Sequence, residues 1–190
     1  MRKVFSITIC TILLISCEKN ASNENFESLK EKFNGKYEII SSISKDAVDL
    51  NMDGIASTNL ISENSEIFNA GLELKILNDS KLLFEDKWPV ETILNTEDGI
   101  FDSTCYHPTY IISYSLYINP ISCQFEDNYS SIKLLENIQQ NSTNKLISIE
   151  SITIEENETI KVITIRKLYT MKGWIKTKIE SRYKRYTSLT

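Results

Sequence analysis

The residues best placed to do chemistry lie between positions 49 and 60, where Asp49, Asn51 and Asp53 alternate with other residues and Gly54 follows. An Asp-x-Asn-x-Asp-Gly run sets oxygen ligands at alternate positions of a tight loop and a conformationally free glycine at the sixth, which is the front half of a calcium loop. On that reading Asp49, Asn51 and Asp53 ligate through side chains, Ile55 through its carbonyl, and Ser57 directly or through water. These supply about five of the six to eight oxygens that calcium takes. The twelfth position, where a bidentate glutamate is usual, is Leu60; the missing ligand then has to come from Asn59 or from Glu63, one helical turn on. Such an ion would lock the loop structurally. The same residues also suit an Asx turn, whose short side chains cap their own backbone, and the sequence leaves both readings open.

Other reactive residues are few. His107 is the lone histidine, beside Pro108 in a tyrosine-rich stretch, and reads as a loop residue. No Cys-x-x-Cys pair, glycine-rich phosphate loop or serine nucleophile elbow occurs, so no enzyme activity is expected. Cys105 and Cys123 lie within the body of the chain, apart from Cys10 and Cys17 near its start. In an oxidising compartment they either close a loop of about 20 residues, stabilising by about 3 kcal/mol, or remain thiols. With a tight hairpin at Asn119-Pro120, Cys123 would lie opposite Leu116, and Cys105 would reach it only if Tyr106-His107-Pro108 folded back. Asp102-Ser103-Thr104 resembles a short acceptor motif for envelope O-glycans.

The N-terminus supplies an address. Met1-Arg2-Lys3 precedes an apolar run from Val4 to Ile15 and then Ser16-Cys17. A basic start, a short apolar stretch and a small residue at the cut make an export leader, and the run is shorter than the roughly 20 residues a spanning helix needs. Leu14-Ile15-Ser16-Cys17 resembles the lipobox of bacterial lipoproteins. The resemblance implies cleavage after residue 16, acyl chains on Cys17, and membrane attachment, most simply at the outer membrane of a cell envelope. Glu18 to Glu27, rich in Asn and Ser, is expected to be a flexible stalk, leaving residues 28–190 as one domain. The whole chain has 21 basic and 26 acidic residues, a net charge of −5, and losing Arg2 and Lys3 takes it to −7. That acidity argues against nucleic acid as a partner.

The domain reads as all-β. Tyr37, Ile39, Ser41 and Ile43 share a face, as do Leu72, Leu74 and Ile76, with an Asn78-Asp79-Ser80 turn leading on to Leu82 and Phe84. Tyr110, Ile112, Tyr114, Leu116 and Ile118 mark the clearest alternation. Short strands are expected around Ile121 to Phe125 and Ile132 to Leu134. The phase flips between Ile149 and Ile152, predicting a bulge at Glu150-Ser151. Turns at Glu156-Asn157-Glu158 and Met171-Lys172-Gly173 separate the last strands, where Ile175, Ile179 and Tyr183 face inward and Lys176, Lys178, Arg182 and Lys184 outward. The basic residues from Arg166 to Arg185 read as a solvated face, or as a surface for anionic lipid or glycan. About eight antiparallel strands in an up-and-down meander, preceded by a short helix at the start of the domain, can close into a barrel and abolish their edges.

Phe33-Asn34-Gly35-Lys36-Tyr37-Glu38-Ile39 is similar to the opening of lipocalin-like domains, and the loop from Asp49 to Leu60 looks like one seen in lipocalin-like lipoproteins of Bacteroidota-type envelopes. Tyr37 stands where those domains usually have tryptophan, and Arg182 is the candidate for their basic residue across the barrel base. The resemblance implies a barrel around a small apolar cavity, and hence a small apolar ligand bound by a monomer. A docking module for an envelope partner, with a calcium-stabilised loop, is the alternative.

Overall fold

The computed structural model describes residues 17–95, 99–100, 106–126, 129–135 and 147–187. The leader, Cys105 and the segment Asp102-Ser103-Thr104 lie outside them. A helix, α1 (Cys17–Phe33), leads into β1 (Gly35–Val48). After the loop come a short β2 (Ser57–Asn59), α2 (Leu60–Glu63) and a 3-10 turn (Ser65–Asn69). Then follow β3 (Gly71–Ile76), β4 (Lys81–Asn95), the two-residue β5 (Gly99–Ile100), β6 (Tyr110–Phe125) and β7 (Ser131–Leu134). The chain finishes with β8 (Ile147–Ile154), β9 (Thr159–Thr170) and β10 (Gly173–Thr187).

Eight of these strands form a closed antiparallel barrel in the order β1, β3, β4, β6, β7, β8, β9, β10, and β10 pairs back onto β1. Each neighbour is the next long strand in sequence, so the all-β up-and-down meander is present as expected. The bulge is present too, as a register shift between Ile149 and Ser151. At the seam Gly35 is required by close approach: a Cβ there would sit 2.4 Å from the backbone oxygen of Thr187.

The hairpin expected at Asn119-Pro120 is absent. β6 runs straight through it, pairing with β4 from Lys81 opposite Gln124 to Asn95 opposite Tyr110. Pro120 is tolerated because β7 covers only Cys123 to Phe125, so at residue 120 the strand needs pairing on one side alone. Pro89 of β4 likewise lies beyond the reach of β3, whose pairing ends at Lys87. Cys123 consequently sits opposite Leu82, with its free thiol sealed in the core, where burial pushes it up to about 12.

One end of the barrel is plugged. Leu29 and Phe33 of α1 belong to the main core, and the Phe33 ring stacks 5.0 Å from that of Phe125. The Tyr37 hydroxyl donates to the Phe33 carbonyl at 2.8 Å, and Asn34 Oδ1 accepts from the Ile76 amide at 2.6 Å. Among the described residues α1 covers Cys17–Phe33, so the segment expected as a stalk runs into the plug as one helix. Phe26 packs against the core and sits under the Lys30 ammonium, which ties the middle of α1 down. Above the plug, interior side chains from every long strand fill the barrel, among them Leu74, Phe84, Ile121, Val162, Ile179 and Tyr183.

Candidate binding cleft and buried ion pair

The loop after β1 is held by its own side chains. Asp49 accepts from the amides of Asp53 and Gly54 at 3.2 and 2.9 Å, Asn51 Oδ1 from Asp53 at 3.0 Å, and Asp53 Oδ1 from Ile55 at 2.7 Å. Met52 and Gly54 take left-handed backbone, with φ of 62° and 87°, as nested Asx turns demand. Leu50, fully buried, pins the loop to the barrel.

Of the expected calcium ligands, Asp49, Asn51 and Asp53 meet in this turn, whereas Glu63 of α2 is engaged with the backbone of Leu50. Glu63 is only 6% exposed, and its Oε2 accepts from the Leu50 amide at 3.2 Å. Ser57 instead accepts from the Asn59 amide, and Asn59 caps α2 by accepting from Ile61. Ile55 points its side chain into solvent. Among the described residues no three His, Cys, Asp or Glu side chains converge as a metal-holding group.

Beside the loop, at the barrel end opposite α1, opens a cleft of about 390 Å³. Leu50, Asn51 and Met52 form one wall with Glu63, Asn64 and Ser65; Tyr106, Tyr110, Ile112 and Tyr114 form the other. The alternation of β6 places Tyr110, Ile112 and Tyr114 on one face. Tyr114 hydrogen-bonds Asn64, and burial, with the charges of Glu91 and Glu66, pushes its phenol up to about 12, so it remains a donor. His107 lies exposed nearby, its Nδ1 2.8 Å from Thr109 Oγ1.

A second polar cluster is sealed inside the barrel. Arg166 of β9, 2% exposed, directs Nη2 at both oxygens of Asp86 of β4, each at 2.9 Å. Its Nε donates to Thr164 Oγ1, and its guanidinium lies 4.0 Å from the centroid of the Trp88 ring. Arg166 Nη1 has no hydrogen-bond partner. Tyr183 borders the pair, and its phenol is raised, chiefly by burial and then by the Asp86 charge. Glu91, paired across the ladder with Tyr114, is 7% exposed. Burial pushes its carboxyl up to about 7, against its own amide, that of Tyr169 and the Arg166 charge. Glu91 thus stands between interior and cleft.

The stripe reading of Arg166 is therefore corrected: it faces inward, because β9 buries Ile160, Val162, Thr164, Arg166 and Leu168 in strict alternation. Arg182 lies on the outer face, bonded to Glu155 and Glu180, and the arginine inside the barrel is Arg166. A scan of protein-family profiles and a search of curated proteins both return no match to this chain.

Proposed function

We propose that the chain is an exported, lipid-anchored envelope lipoprotein, a lipocalin-like barrel whose task is binding a small molecule and which performs no catalysis. The observation that carries this reading is the asymmetry of the barrel: the end that the chain enters from Cys17 is plugged by α1, while the far end opens into the tyrosine-lined cleft. An anchor on Cys17 would present that cleft away from its membrane. Acyl carbons contribute about 0.8 kcal/mol per buried methylene, so several chains on one residue hold a protein firmly. In cells fed radiolabelled palmitate, the parent is expected to carry label and sediment with membranes. Cys17→Ser is expected to lose the label and to leave the detergent-extracted fraction. A labelled or fully membrane-bound Cys17→Ser protein would sink the anchor.

A second reading concerns the loop, and the gathering of Asp49, Asn51 and Asp53 side-chain oxygens in one turn favours it. The oxygens of Asp49, Asn51, Asp53 and Glu63 suit a hard cation in kind, and calcium there would fix the loop that walls the cleft. Calorimetric titration with calcium is expected to give heat and a rise in melting temperature in the parent. Both should vanish when Asp49→Ala and Asp53→Ala are combined. No heat and no shift at millimolar calcium would leave the loop an Asx turn.

A further inference from the structure

We propose that the cleft takes a linear, uncharged saccharide, stacked along the tyrosine wall and hydrogen-bonded by the wall opposite. This rests on the cleft being the ligand site, and adds the ligand's chemistry. Tyr110 and Tyr114 stand on one face of β6 with Ile112 between them, and four residues of strand separate them by roughly 13 Å. Tyr106 also lines the cleft. Aromatic groups in a row along a strand meet an elongated ligand, whereas a single ammonium group needs them gathered around one point.

The opposite wall sets the polarity. Asn51, Glu63, Asn64 and Ser65 bring two amides, a carboxylate and a hydroxyl. Asn51, Glu63 and Asn64 are held by bonds to Asp53, Leu50 and Glu66 respectively. The hydrogen-bonding capacity they keep beyond those bonds would be desolvated without replacement by a purely apolar ligand, which is costly. Sugar hydroxyls both donate and accept, and sugar rings carry apolar faces for the tyrosines. None of the described lining residues is cationic, and Glu63 in the wall and Glu66 beside Tyr114 repel an anion. Fatty-acid carboxylates and phosphates are thereby disfavoured. The volume of about 390 Å³ falls at the low end of ligand sites, which run from about 300 to 1,000 Å³.

The test uses the full chain in a zwitterionic, sugar-free detergent, followed by calorimetry and amide NMR. The probes are cellotetraose, maltotetraose and triacetylchitotriose, with laurate and choline for contrast. At least one oligosaccharide is expected to bind, with shifts confined to residues 50–52, 63–65 and 106–114. Tyr110→Ala should weaken binding about tenfold, as loss of one stacked ring implies, while Tyr110→Phe, which keeps the ring and its contact with His107, keeps most of it. Laurate or choline shifting those amides, with every oligosaccharide inert, would overturn the saccharide and leave the cleft as a ligand site. If no probe moves those amides, both readings fall.

Discussion

Asp86→Ala is expected to cost the fold about 3–5 kcal/mol, because it strands the Arg166 guanidinium in an apolar interior. Asp86 is the charge partner of Arg166 Nη2, at 2.9 Å, and both side chains are almost wholly sealed from water. Arg166 cannot escape by losing its proton, and Nη1 already lacks a hydrogen-bond partner. For a domain of this size each kcal/mol moves the melting temperature by about 2–4 °C, so a shift on the order of 10 °C should appear in thermal melts. Arg166→Met alone should also destabilise, by leaving the Asp86 carboxylate buried. Combining Asp86→Leu with Arg166→Met should recover much of the loss, since well-packed apolar pairs often replace buried ion pairs without penalty. A single substitution costing under about 1 kcal/mol would mean that water reaches the pair.

The barrel itself was legible in the residues. Alternation from Ile160 onward marks a strand because one face of it is buried, and the flip after Ile149 marks a true bulge. Alternation at Tyr110 to Ile118 marks a strand too, but there Leu116 and Ile118 stand exposed. Asn119-Pro120 misled because proline breaks a ladder only where both edges of the strand are paired, and edge pairing is a tertiary fact. Arg166 was misread for a related cause: it follows Val162 and Thr164 on the inward phase, but an arginine in that phase is readable as core only when its partner is known. That partner, Asp86, follows Leu82 and Phe84 on the inward phase of β4, 80 residues away. The cleft was half visible. Tyr110, Ile112 and Tyr114 were recognisable as one face, and Glu63 as a group turned toward the loop. What the sequence withheld was that Glu63 and its neighbours fold over that face, a contact between distant segments.

Glu91→Gln is expected to raise stability at pH 8 by about 3 kcal/mol relative to the parent, and to leave it little changed at pH 4.5. The cause is the lifted carboxyl, at about 7 in the fold against an ordinary 4.5. The folded chain then holds a proton that the unfolded chain has released, so stability falls as pH climbs from about 4.5 to 7 and is level above. Glutamine removes that slope while keeping shape and hydrogen-bonding capacity. Urea melts of the two proteins at pH 4.5, 6 and 8 isolate it, because the other titrating groups cancel in the difference. A difference that stays flat, or that favours the parent at pH 8, would mean that Glu91 is ionised in the fold and serves as a partner of Arg166. The two predictions are coupled through that arginine, whose charge already opposes the effect of burial on Glu91. In the Asp86→Ala background Arg166 loses its own carboxylate and its field falls more fully on Glu91. The carboxyl should then titrate lower and the slope shrink, whereas in Arg166→Met it should titrate higher and the slope grow. Opposite responses to removal of the two halves of one ion pair are what a structural carboxylate held only by packing would fail to give.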